Sequence, residues 1–518
     1  MHSLKRLSWT IGKVRSKNVV KSTFESQLRC ISKMETPQGQ KEQPRISLSI
    51  PTGEMGQPTC HTHPHLIPAG QLTCGVSQAE YVNRRDFFVR KLQMEMENEH
   101  LNHVIVIPAA AKQYMTEKIP YTFRQNSDFY YLTGCMEPGA VLVIIKPAQT
   151  DNYQTILFVH DKNSHDEMWE GPRTGCNAAA KLFAVHEARP IESFSKYLSR
   201  TVSTKPCVLW YNRETASNPE IVTIVCKTLE QNTMRWGDPQ RVLHFMRVIK
   251  SPAEIELMKE TCCIGAQSIN MAMACTKPGV SEHSINAVLD FTSRQGGAEH
   301  LAFPPVVAGG HRATHIHYVA NNQLLHDNEM LLVDTGCQRW LYNSDLSRTW
   351  PVNGKFNPYH KILYEIVLTA QKRLIQLLGE QRQPLDQLFD QMCRLLGTYL
   401  QQERILPHNI DGNELIASAY RLCPHHVSHY LGLDVHDSPL VRRNVAVQTN
   451  MIVTVEPGLY IRNDDHSVPA EFRGVGIRVE DDVLITDSDP IVLTADAVKE
   501  IDDIEAIVGK HKEYTLRE

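Results

Sequence analysis

Four acidic residues interrupt strand-like apolar runs in the C-terminal half of the sequence, and their chemistry points to metal binding. Asp334 ends the apolar run 330–333, and Asp345 follows 11 residues later, after a turn. Glu456 and Glu480 interrupt two further apolar runs. A carboxylate buried in such a run requires counter-charge, and a divalent metal ion is the most compact source of it. If the segments that carry Asp334 and Asp345 pair as a hairpin, both carboxylates face one site.

A cluster of histidines lies between the second and the third of these acids. His425, His429 and His436 fall within 12 residues of sequence. Neutral imidazole is a good ligand for first-row metal ions, and a titratable histidine near a scissile bond polarises a carbonyl or passes a proton. His317 lies upstream of the Asp334 run. The spacing differs from the HExxH pattern of zinc proteases, because no glutamate separates the histidines.

Each of these residues also has a structural explanation. A lone aspartate at the end of a strand, such as Asp334, commonly serves a turn or a cap. Glu480 beside Arg478 fits a cross-strand pair on a surface, and His425 with His429 fits one face of a helix. Four acids with a histidine cluster between them favour one shared metal site over a series of separate structural roles.

Helix caps and apolar runs predict the elements that must position these residues. A capping box opens a helix at Ser251, with proline at the first helical position and Glu254 three residues after the cap. Asn357 before Pro358 predicts another helix start. We predict helices over about 252–275, 281–296, 358–379, 384–402 and 412–422, and strands over about 329–334, 339–351, 450–461 and 474–486.

The first half of the ordered sequence predicts a separate region of mixed structure. A capping box at Ser77 and Glu80 predicts a helix that runs to about residue 97. Short apolar runs follow, separated by turn signals or helix-like pieces, at 103–107, 129–132, 140–145, 155–159 and 208–211. The predicted fold class is therefore α/β, of the α+β type. An N-terminal mixed α/β domain is expected at 67–245 and a second domain at 246–510.

Taken in order, these segments resemble the ligand signature of the pita-bread metallopeptidases, and more narrowly that of the Xaa-Pro aminopeptidases. The resemblance rests on five motifs, at 331–334, 344–354, 425–437, 454–460 and 476–482. The stretch 123–134, FRQNSDFYYLTG, is similar to the N-terminal domain motif of that family. The resemblance covers about 60–510 and implies a C-terminal pita-bread domain at 246–510.

The resemblance implies a metal-binding role for five residues. Asp334 would bind one ion, Asp345 and Glu480 would bridge two ions, and His429 with Glu456 would complete the second. Two divalent metal ions are implied, with Mn²⁺ as the expected metal because the ligand set is rich in oxygen. A hydroxide held between the ions would attack the peptide carbonyl of residue one, while Glu456 takes up and returns the proton.

Further roles in catalysis and substrate binding follow from the same resemblance. The implied catalytic residues are His425, His436, Glu456 and Arg478. Arg478 is expected to orient the metal carboxylates, since it lies two residues from Glu480 and therefore on the same strand face. The implied substrate contacts are His317, His425, His436, Tyr460 and Tyr130. Tyr130 occupies a position where some members of the family have tryptophan.

The family implies an aminopeptidase that removes the first residue of peptides with proline at position two, and a homodimer. Two alternatives are a prolidase-type dipeptidase on the same fold and a non-catalytic pita-bread protein that binds peptides. The spacing of 24 positions from Glu456 to Glu480 favours the aminopeptidase, because prolidases carry a longer insertion there. The complete ligand set favours catalysis over peptide binding alone.

Composition excludes several other classes of function. The 518 residues include 54 Lys and Arg against 58 Asp and Glu, a net charge of −4, so no global basic field predicts nucleic-acid binding. We find no run of 18 apolar residues that would predict a membrane span. Thirteen cysteines without a CxxC pair predict reduced thiols in an intracellular compartment.

The first residues of the chain predict mitochondrial targeting. Residues 1–34 contain eight Lys or Arg and one acid, with apolar residues at helical spacing, which is typical of a transit peptide. A disordered basic tail is the alternative. The segment 35–66, rich in Pro, Gln, Gly and Ser, predicts a linker, and its end, 61–66, resembles mitochondrial members of the family. Translation from Met34 would give an untargeted, cytosolic form.

Overall fold

The computed structural model describes residues 48–95, 100–214, 218–232 and 235–511. The predicted transit peptide and the alternative start at Met34 lie outside the described residues. The described part of the predicted linker, 48–66, contains no helix or strand but packs on the N-terminal half. Met55 is buried there, and Gln57 Nε2 donates to the Gly134 carbonyl at 3.0 Å. Among the described residues, no helix has both the length and the hydropathy needed to cross a membrane.

The N-terminal half is built around one six-stranded mixed sheet. In chain order its elements are β1 (Gln71–Thr73), β2 (Val76–Ser77), α1 (Gln78–Glu95), β3 (Asn102–Pro108), β4 (Tyr114–Thr116), β5 (Ile119–Pro120), α2 (Ser127–Thr133), β6 (Val141–Lys146), β7 (Gln154–Val159), α3 (Ser164–Glu170), α4 (Gly175–Leu182), β8 (Glu187–Pro190), α5 (Phe194–Thr204), β9 (Cys207–Trp210), α6 (Pro219–Asn232), β10 (Arg235–Gly237) and α7 (Gln240–Arg247). The strand order is β10-β9-β3-β6-β7-β8, with β3 antiparallel to β6 and parallel to β9.

Both faces of this sheet are buried, because successive side chains of β3 point to opposite sides. Val104 and Val106 pack in a cluster with residues of α5 and α6, whereas Ile105 and Ile107 pack in another cluster with residues of α1 and α4. Strands covered on both faces read as continuous apolar runs, and this is the pattern that the sequence shows at 103–107.

The apolar run 129–132 lies in helix α2 rather than in a strand. The side chain of Asn126 caps the helix by accepting from the Phe129 N–H at 2.9 Å. Gly134 ends it at a φ of 65°, with its N–H bonded to the Tyr130 carbonyl. A run this short fits either element by its pattern alone, and the two caps make it a helix.

The C-terminal half carries several small antiparallel sheets covered by long helices. In chain order its elements are α8 (Pro252–Cys275), α9 (Glu282–Gln295), β11 (His300–Leu301), β12 (Val306–Gly309), β13 (Met330–Thr335), β14 (Cys337–Arg339), β15 (Tyr342–Asn343), β16 (Leu346–Pro351), α10 (Pro358–Gln381), α11 (Leu385–Gln402), α12 (Gly412–Leu422), β17 (Ile452–Val455), β18 (Gly458–Ile461), β19 (Val475–Arg478), β20 (Asp481–Leu484), β21 (Ile491–Val492) and α13 (Ile501–Ile507). The sheets are β11-β14-β15, β12-β13-β16, β17-β20-β21 and β18-β19.

The helix starts predicted from capping residues are confirmed. Ser251 and Glu254 form a complete capping box at the start of α8. Asn357 caps α10 by accepting from the His360 N–H, and Pro358 occupies the first helical position. Helix α8 packs on strands β13 and β16, and helix α10 packs beside β17, β18 and β19. Inward residues of these strands belong to the main apolar core.

Antiparallel pairing brings the ends of the ligand-bearing strands together. Strands β13 and β16 pair with Asp334 opposite Ser347, so the predicted hairpin is confirmed, and Asp345 immediately precedes β16 beside the end of β13. Strands β17 and β20 pair with Val455 opposite Asp481, which places Glu456 and Glu480, each one residue outside its strand, side by side.

Candidate metal centre

The residues predicted as metal ligands converge on one buried site. His429 Nε2 lies 3.3 Å from Asp345 Oδ2 and 3.6 Å from Glu456 Oε1. Ligand atoms of Asp345, His429 and Glu480 all lie within 4.8 Å of one another. These three residues are buried, and Glu456 is nearly so. The five residues therefore occupy one cluster, with Asp334 joined to it through Arg478.

Arg478 ties the remaining carboxylate to the cluster. Its Nη2 donates to Asp334 Oδ2 at 2.6 Å, and its Nε donates to Ser347 Oγ at 2.8 Å. Ser347 in turn donates to Glu480 Oε2 at 2.7 Å. Asp334 Oδ1 is buried and has no hydrogen-bond partner among the described residues. The predicted position of Arg478 among the carboxylates agrees with these contacts.

The electrostatics of the cluster favour a bound cation. Burial, reinforced by Asp334 and other nearby carboxylates, raises the pKa of Asp345 well above its usual range. Burial and the charge of Asp345 do the same to the pKa of Glu480. Like charges this close destabilise one another unless positive charge is added. Four carboxylates, one imidazole and an unpartnered buried oxygen fit hard divalent ions better than they fit a thiolate-type site.

The predicted substrate histidines surround the same site. His425 Nε2 lies 2.9 Å from the Tyr460 hydroxyl, and His425 Nδ1 lies 3.6 Å from Glu456 Oε2. The His436 ring is 4.5 Å from the His429 ring, centroid to centroid. Burial and the neighbouring charge of His429 lower the pKa of His436 to about 4, and His317 contributes to the same shift. His317 and His436 both keep exposed side chains.

Tyr130 is the one predicted site residue that the structure does not bring to this cluster. Its side chain is fully buried, and its ring packs edge-on against Tyr81 at 6.3 Å. A side chain without accessible surface cannot stack on a substrate unless the surrounding core opens. We therefore assign no substrate contact to Tyr130.

Several residues that hold the ligands were not identified from the sequence. Asp482 Oδ2 accepts from the Asp345 N–H at 3.0 Å, and burial raises the pKa of Asp482 to about 7. Thr454 donates to Glu456 Oε1 at 3.3 Å and accepts from the His429 N–H at 3.1 Å. The three consecutive acids at 480–482 could have indicated from the sequence that Asp482 also belongs to the site. No sequence signal marks Thr454 or Ser347, since Thr454 bonds His429 and Ser347 bonds Glu480, residues brought beside them only by the fold.

A cleft of about 310 Å³ lies beside the exposed side chain of His436. Its walls come from both halves of the chain, including Arg124 and Asp128 on one side and Asp434 on the other. Because the His436 ring packs against His429, the cleft opens next to the metal cluster.

Comparisons with known proteins identify the family. The family model described as metallopeptidase family M24 matches residues 256–487, and that of the aminopeptidase P N-terminal domain matches residues 81–210. Xaa-Pro aminopeptidase 3 from Homo sapiens is 39% identical over 475 residues, which cover 90% of this chain and 93% of that protein. The chain belongs to the Xaa-Pro aminopeptidases of metallopeptidase family M24.

Other members of the family support its location and fold. Intermediate cleaving peptidase 55, mitochondrial, from Arabidopsis thaliana is 35% identical over 88% of each chain. Zinc-substituted aminopeptidase P from Escherichia coli, solved in complex with product, aligns with a TM-score of 0.76 and 30% identity, covering 83% of this chain and 98% of that chain. The predicted family and fold class, an N-terminal mixed α/β domain followed by a pita-bread domain, are confirmed.

Membership in the Xaa-Pro aminopeptidase family also establishes the class of activity. The chain is a metallo-aminopeptidase that uses divalent metal and acts on peptides. The relative from Arabidopsis thaliana is named as mitochondrial, which supports the predicted location. A non-catalytic role for the pita-bread domain is thereby set aside.

Proposed function

We propose that this aminopeptidase removes the first residue from peptides whose second residue is proline. The main supporting observation is the convergence of five ligand residues, spread over 146 residues of sequence, on one buried site. The human relative is named for the same Xaa-Pro activity. An imino-acid bond lacks an N–H group, so a pocket shaped for proline selects it without pairing that donor.

The five ligand residues would hold two divalent ions, Mn²⁺ by preference. The ligand set is Asp334, Asp345, His429, Glu456 and Glu480. Carboxylate oxygens suit Mn²⁺, and two cations offset the repulsion that raises the pKa of Asp345 and of Glu480. When bound, such ions lower the pKa of a water molecule by several units and so supply a nucleophile at neutral pH.

The chain's own residues orient the substrate and move the proton. Glu456 is the proton carrier, since burial raises its pKa and Thr454 fixes its Oε1. Tyr460 holds the His425 ring beside Glu456 Oε2. His436 donates to the carbonyl oxygen as charge develops on it, which is the most effective place for a fixed hydrogen-bond donor. Both ring nitrogens of His425 are engaged, Nδ1 with the His426 carbonyl and Nε2 with the Tyr460 hydroxyl, so His425 acts beside Glu456 and not as a donor to the substrate. His317, on the exposed side, lies along the proline of the substrate.

The acidic centre also explains why cleavage stops at the first residue. The free amine of a peptide is positively charged at neutral pH. A cluster of carboxylates attracts this charge and holds the N-terminus at a fixed distance from the reacting carbonyl. A blocked N-terminus is therefore expected to prevent cleavage.

One assay separates this activity from its alternative. Metal-free protein is titrated with Mn²⁺ and assayed with an Xaa-Pro tripeptide, an Xaa-Pro dipeptide and an Xaa-Ala tripeptide. We expect Mn²⁺-dependent release of residue one from the Xaa-Pro tripeptide. Cleavage restricted to the dipeptide would instead assign prolidase activity, and equal cleavage of the Xaa-Ala tripeptide would contradict selection by proline.

Two forms of the protein follow from the N-terminal sequence. Residues 1–34 target the longer form to mitochondria, and translation from Met34 produces a cytosolic form. The basic, acid-poor composition of 1–34 supports this assignment. A fluorescent reporter fused to 1–34 is expected to enter mitochondria, whereas a reporter fused behind 35–66 alone is expected to stay in the cytosol.

The chain beyond the leader divides into domains at 67–245 and 246–510, and the ranges matched by the two family models support this division.

The protein forms a homodimer through an apolar surface on the N-terminal half. This apolar surface consists of the β4–β5 hairpin and helix α3, and none of their described residues is buried. Its large side chains are 49–72% exposed: Tyr114, Met115, Ile119, Tyr121, Met168 and Trp169. An ion pair between Lys112 Nζ and Glu170 Oε2, at 2.9 Å, connects the base of the hairpin to the helix.

The size of this apolar surface fits a dimer of two copies. Six side chains at these exposures offer roughly 800 Å², which is about what each partner contributes to a specific interface. The hairpin also has free strand edges, and two identical edges pair readily about a twofold axis.

A further inference from the structure

The residues around His436 form a loop whose charged side chains are directed inward. In this loop, 433–438, His436 is exposed while Asp437 and Ser438 are buried and Asp434 is half-buried. Two carboxylates therefore flank the histidine and face into the protein. A buried carboxylate requires a partner of opposite charge, so the groups that face Asp434 and Asp437 determine where His436 lies.

Arg247, at the end of helix α7, is the shared partner of these carboxylates. Its Nη2 donates to Asp434 Oδ2 at 2.6 Å and also to Asp437 Oδ1. Its Nη1 donates to Asp128 Oδ1 at 2.7 Å, in the first turn of helix α2. Arg247 is 3% exposed. One guanidinium group thus connects the N-terminal motif at 123–134 to both sides of His436.

Two further cations complete the network and balance its charge. Lys250 Nζ donates to Asp437 Oδ2 at 3.1 Å. Arg124 Nη2 donates to the Leu433 carbonyl at 2.6 Å and to Asp434 Oδ1 at 3.0 Å. Three cations therefore face three carboxylates, and the network carries no net charge. Both ends of the loop are fixed by charge-assisted hydrogen bonds, which are the stronger kind.

The backbone of the loop has little freedom to move around these contacts. A Cβ added at Gly432 would lie 2.7 Å from Asp437 Oδ2 and 3.0 Å from Lys250 Nζ, so the chain needs glycine there. Asn343 Nδ2 donates to the Leu433 carbonyl at 2.9 Å. Ser438 has a φ of 51°, a conformation that persists only where the surroundings enforce it.

We propose that Arg247 is a positioning residue for the reaction, which holds His436 where it meets the substrate carbonyl. The proposal rests on the proposed function of His436. Arg247 contacts none of the metal ligands. It lines the adjacent cleft, but its side-chain hydrogen bonds all go to Asp128, Asp434 and Asp437, so it acts through the loop. Because Arg247 also donates to Asp128, the position of His436 depends on the N-terminal half of the chain. The same half supplies one wall of the adjacent cleft.

Arginine is required at this position because of its geometry. A guanidinium group presents a planar fork of donors that reaches carboxylates on different sides at once, whereas an ammonium group is a single point of charge. Lysine at position 247 keeps the charge but cannot span Asp128 and Asp434 together. Arg247→Lys therefore tests the geometry of the side chain at position 247 while the positive charge there is kept.

The first test compares Arg247→Lys with a matched control, Arg84→Lys. Arg84 is also buried and also joins the two halves, since its Nη2 lies 3.5 Å from Glu254 Oε2, but it does not touch the loop. With an Xaa-Pro tripeptide and saturating Mn²⁺, we expect kcat to fall about tenfold or more in Arg247→Lys. We expect a change below about twofold in Arg84→Lys, because Arg84 does not position the loop that carries His436. Equal losses in the two variants would show a general structural role and overturn the proposal.

A double-mutant cycle with His436→Ala tests whether Arg247 acts through this histidine. His436→Ala alone is expected to lower kcat by about 10²-fold. In that background, Arg247→Lys is expected to change kcat by less than about twofold, since the group it positions is gone. Losses that multiply would overturn the role of Arg247 and leave that of His436 intact. Wild-type kcat in His436→Ala would instead overturn the role of His436 itself, and with it the proposal.

A readout independent of activity is amide hydrogen exchange of residues 431–438 in metal-free protein. Arg247→Lys is expected to increase exchange in this segment, and Arg84→Lys is expected to leave it unchanged. Exchange that is the same in wild type and Arg247→Lys would overturn the proposal whether or not the assayed peptide is the right substrate. If Arg247→Lys does not fold, Asp434→Asn removes one contact from the half-buried side of the network, and the same results are expected of it.

Discussion

Ser347 donates its hydroxyl hydrogen to Glu480 Oε2 at 2.7 Å, from the strand position opposite Asp334. The same Oγ accepts from Arg478 Nε, which connects two carboxylates of the metal centre through one hydroxyl group. A ligand carboxylate held in this way is oriented before a metal ion binds. The affinity of the site for metal therefore depends on a residue that never touches the metal.

Replacement of Ser347 by alanine is expected to weaken metal binding more than catalysis. Loss of an outer hydrogen-bond partner commonly lowers metal affinity by about 10–100-fold. We expect Mn²⁺ affinity, measured by calorimetry on metal-free protein, to fall within this range in Ser347→Ala, with turnover largely restored at saturating Mn²⁺. The control is Ser293→Ala, which removes a buried hydroxyl bonded to Ser268 away from the site. Unchanged affinity in Ser347→Ala would contradict this role.

Removing one charge from the metal cluster is expected to abolish activity without destabilising the metal-free protein. Asp345→Asn preserves side-chain volume, removes the negative charge of a ligand, and relieves repulsion among buried carboxylates. Wild-type protein is expected to lose thermal stability when a chelator is added, because bound ligand stabilises the folded state. Asp345→Asn is expected to show little response to chelator, and a melting temperature in chelator no lower than that of wild type.

Differential scanning fluorimetry with and without chelator, alongside a peptidase assay, measures both effects. Asp290→Asn serves as the control, since Asp290 lies on the surface in an ion pair with Arg294. Turnover at the wild-type rate in Asp345→Asn would contradict its assignment as a ligand.

The network around Arg247 is expected to contribute to acid sensitivity. Burial alone would raise the pKa of Asp434, but Arg247 and Arg124 hold it below its usual value. Such a group contributes stability above its unfolded pKa, about 3.9, and this contribution is lost as pH falls through the folded pKa. We expect the free energy of unfolding of wild type to fall as pH drops below about 4, and to fall less steeply in Asp434→Asn.

Urea unfolding of metal-free protein, followed by circular dichroism between about pH 5 and pH 2.5, measures this slope. Asp290→Asn, outside the network, is expected to keep the wild-type slope. The same slope in Asp434→Asn and wild type would show that Asp434 does not contribute.

Charge placed on the apolar surface of the N-terminal half is expected to produce monomers. Met115→Asp and Trp169→Asp each put a carboxylate where the proposed interface would desolvate it, at a cost of several kcal/mol. Light scattering coupled to size-exclusion chromatography is expected to show a dimer for wild type and a monomer for each variant. Ile491→Asp is the control, because Ile491 is 46% exposed but lies outside this surface. A wild-type monomer, or dimers in both variants, would contradict the proposed interface.

Local chemistry made much of the fold predictable. Ser251 with Glu254, and Asn357 with Pro358, specify helix starts through contacts within four residues, so their sequence alone is sufficient. The apolar runs around Asp334 and Glu456 likewise predict strands. The apolar run 129–132 could not be assigned in this way, because a run of four residues fits a strand and a helix equally well.

By itself, the amino-acid sequence determined the kinds of element, the acids and histidines that make up the metal centre, and the family to which they belong. Only the tertiary structure decided which side chains hold those residues in place. Ser347, Thr454 and Arg247 act across strand pairings or over more than 100 residues, and neither their type nor their spacing encodes such contacts. Packing likewise buried Tyr130 away from the site, because the burial of a side chain depends on what covers it.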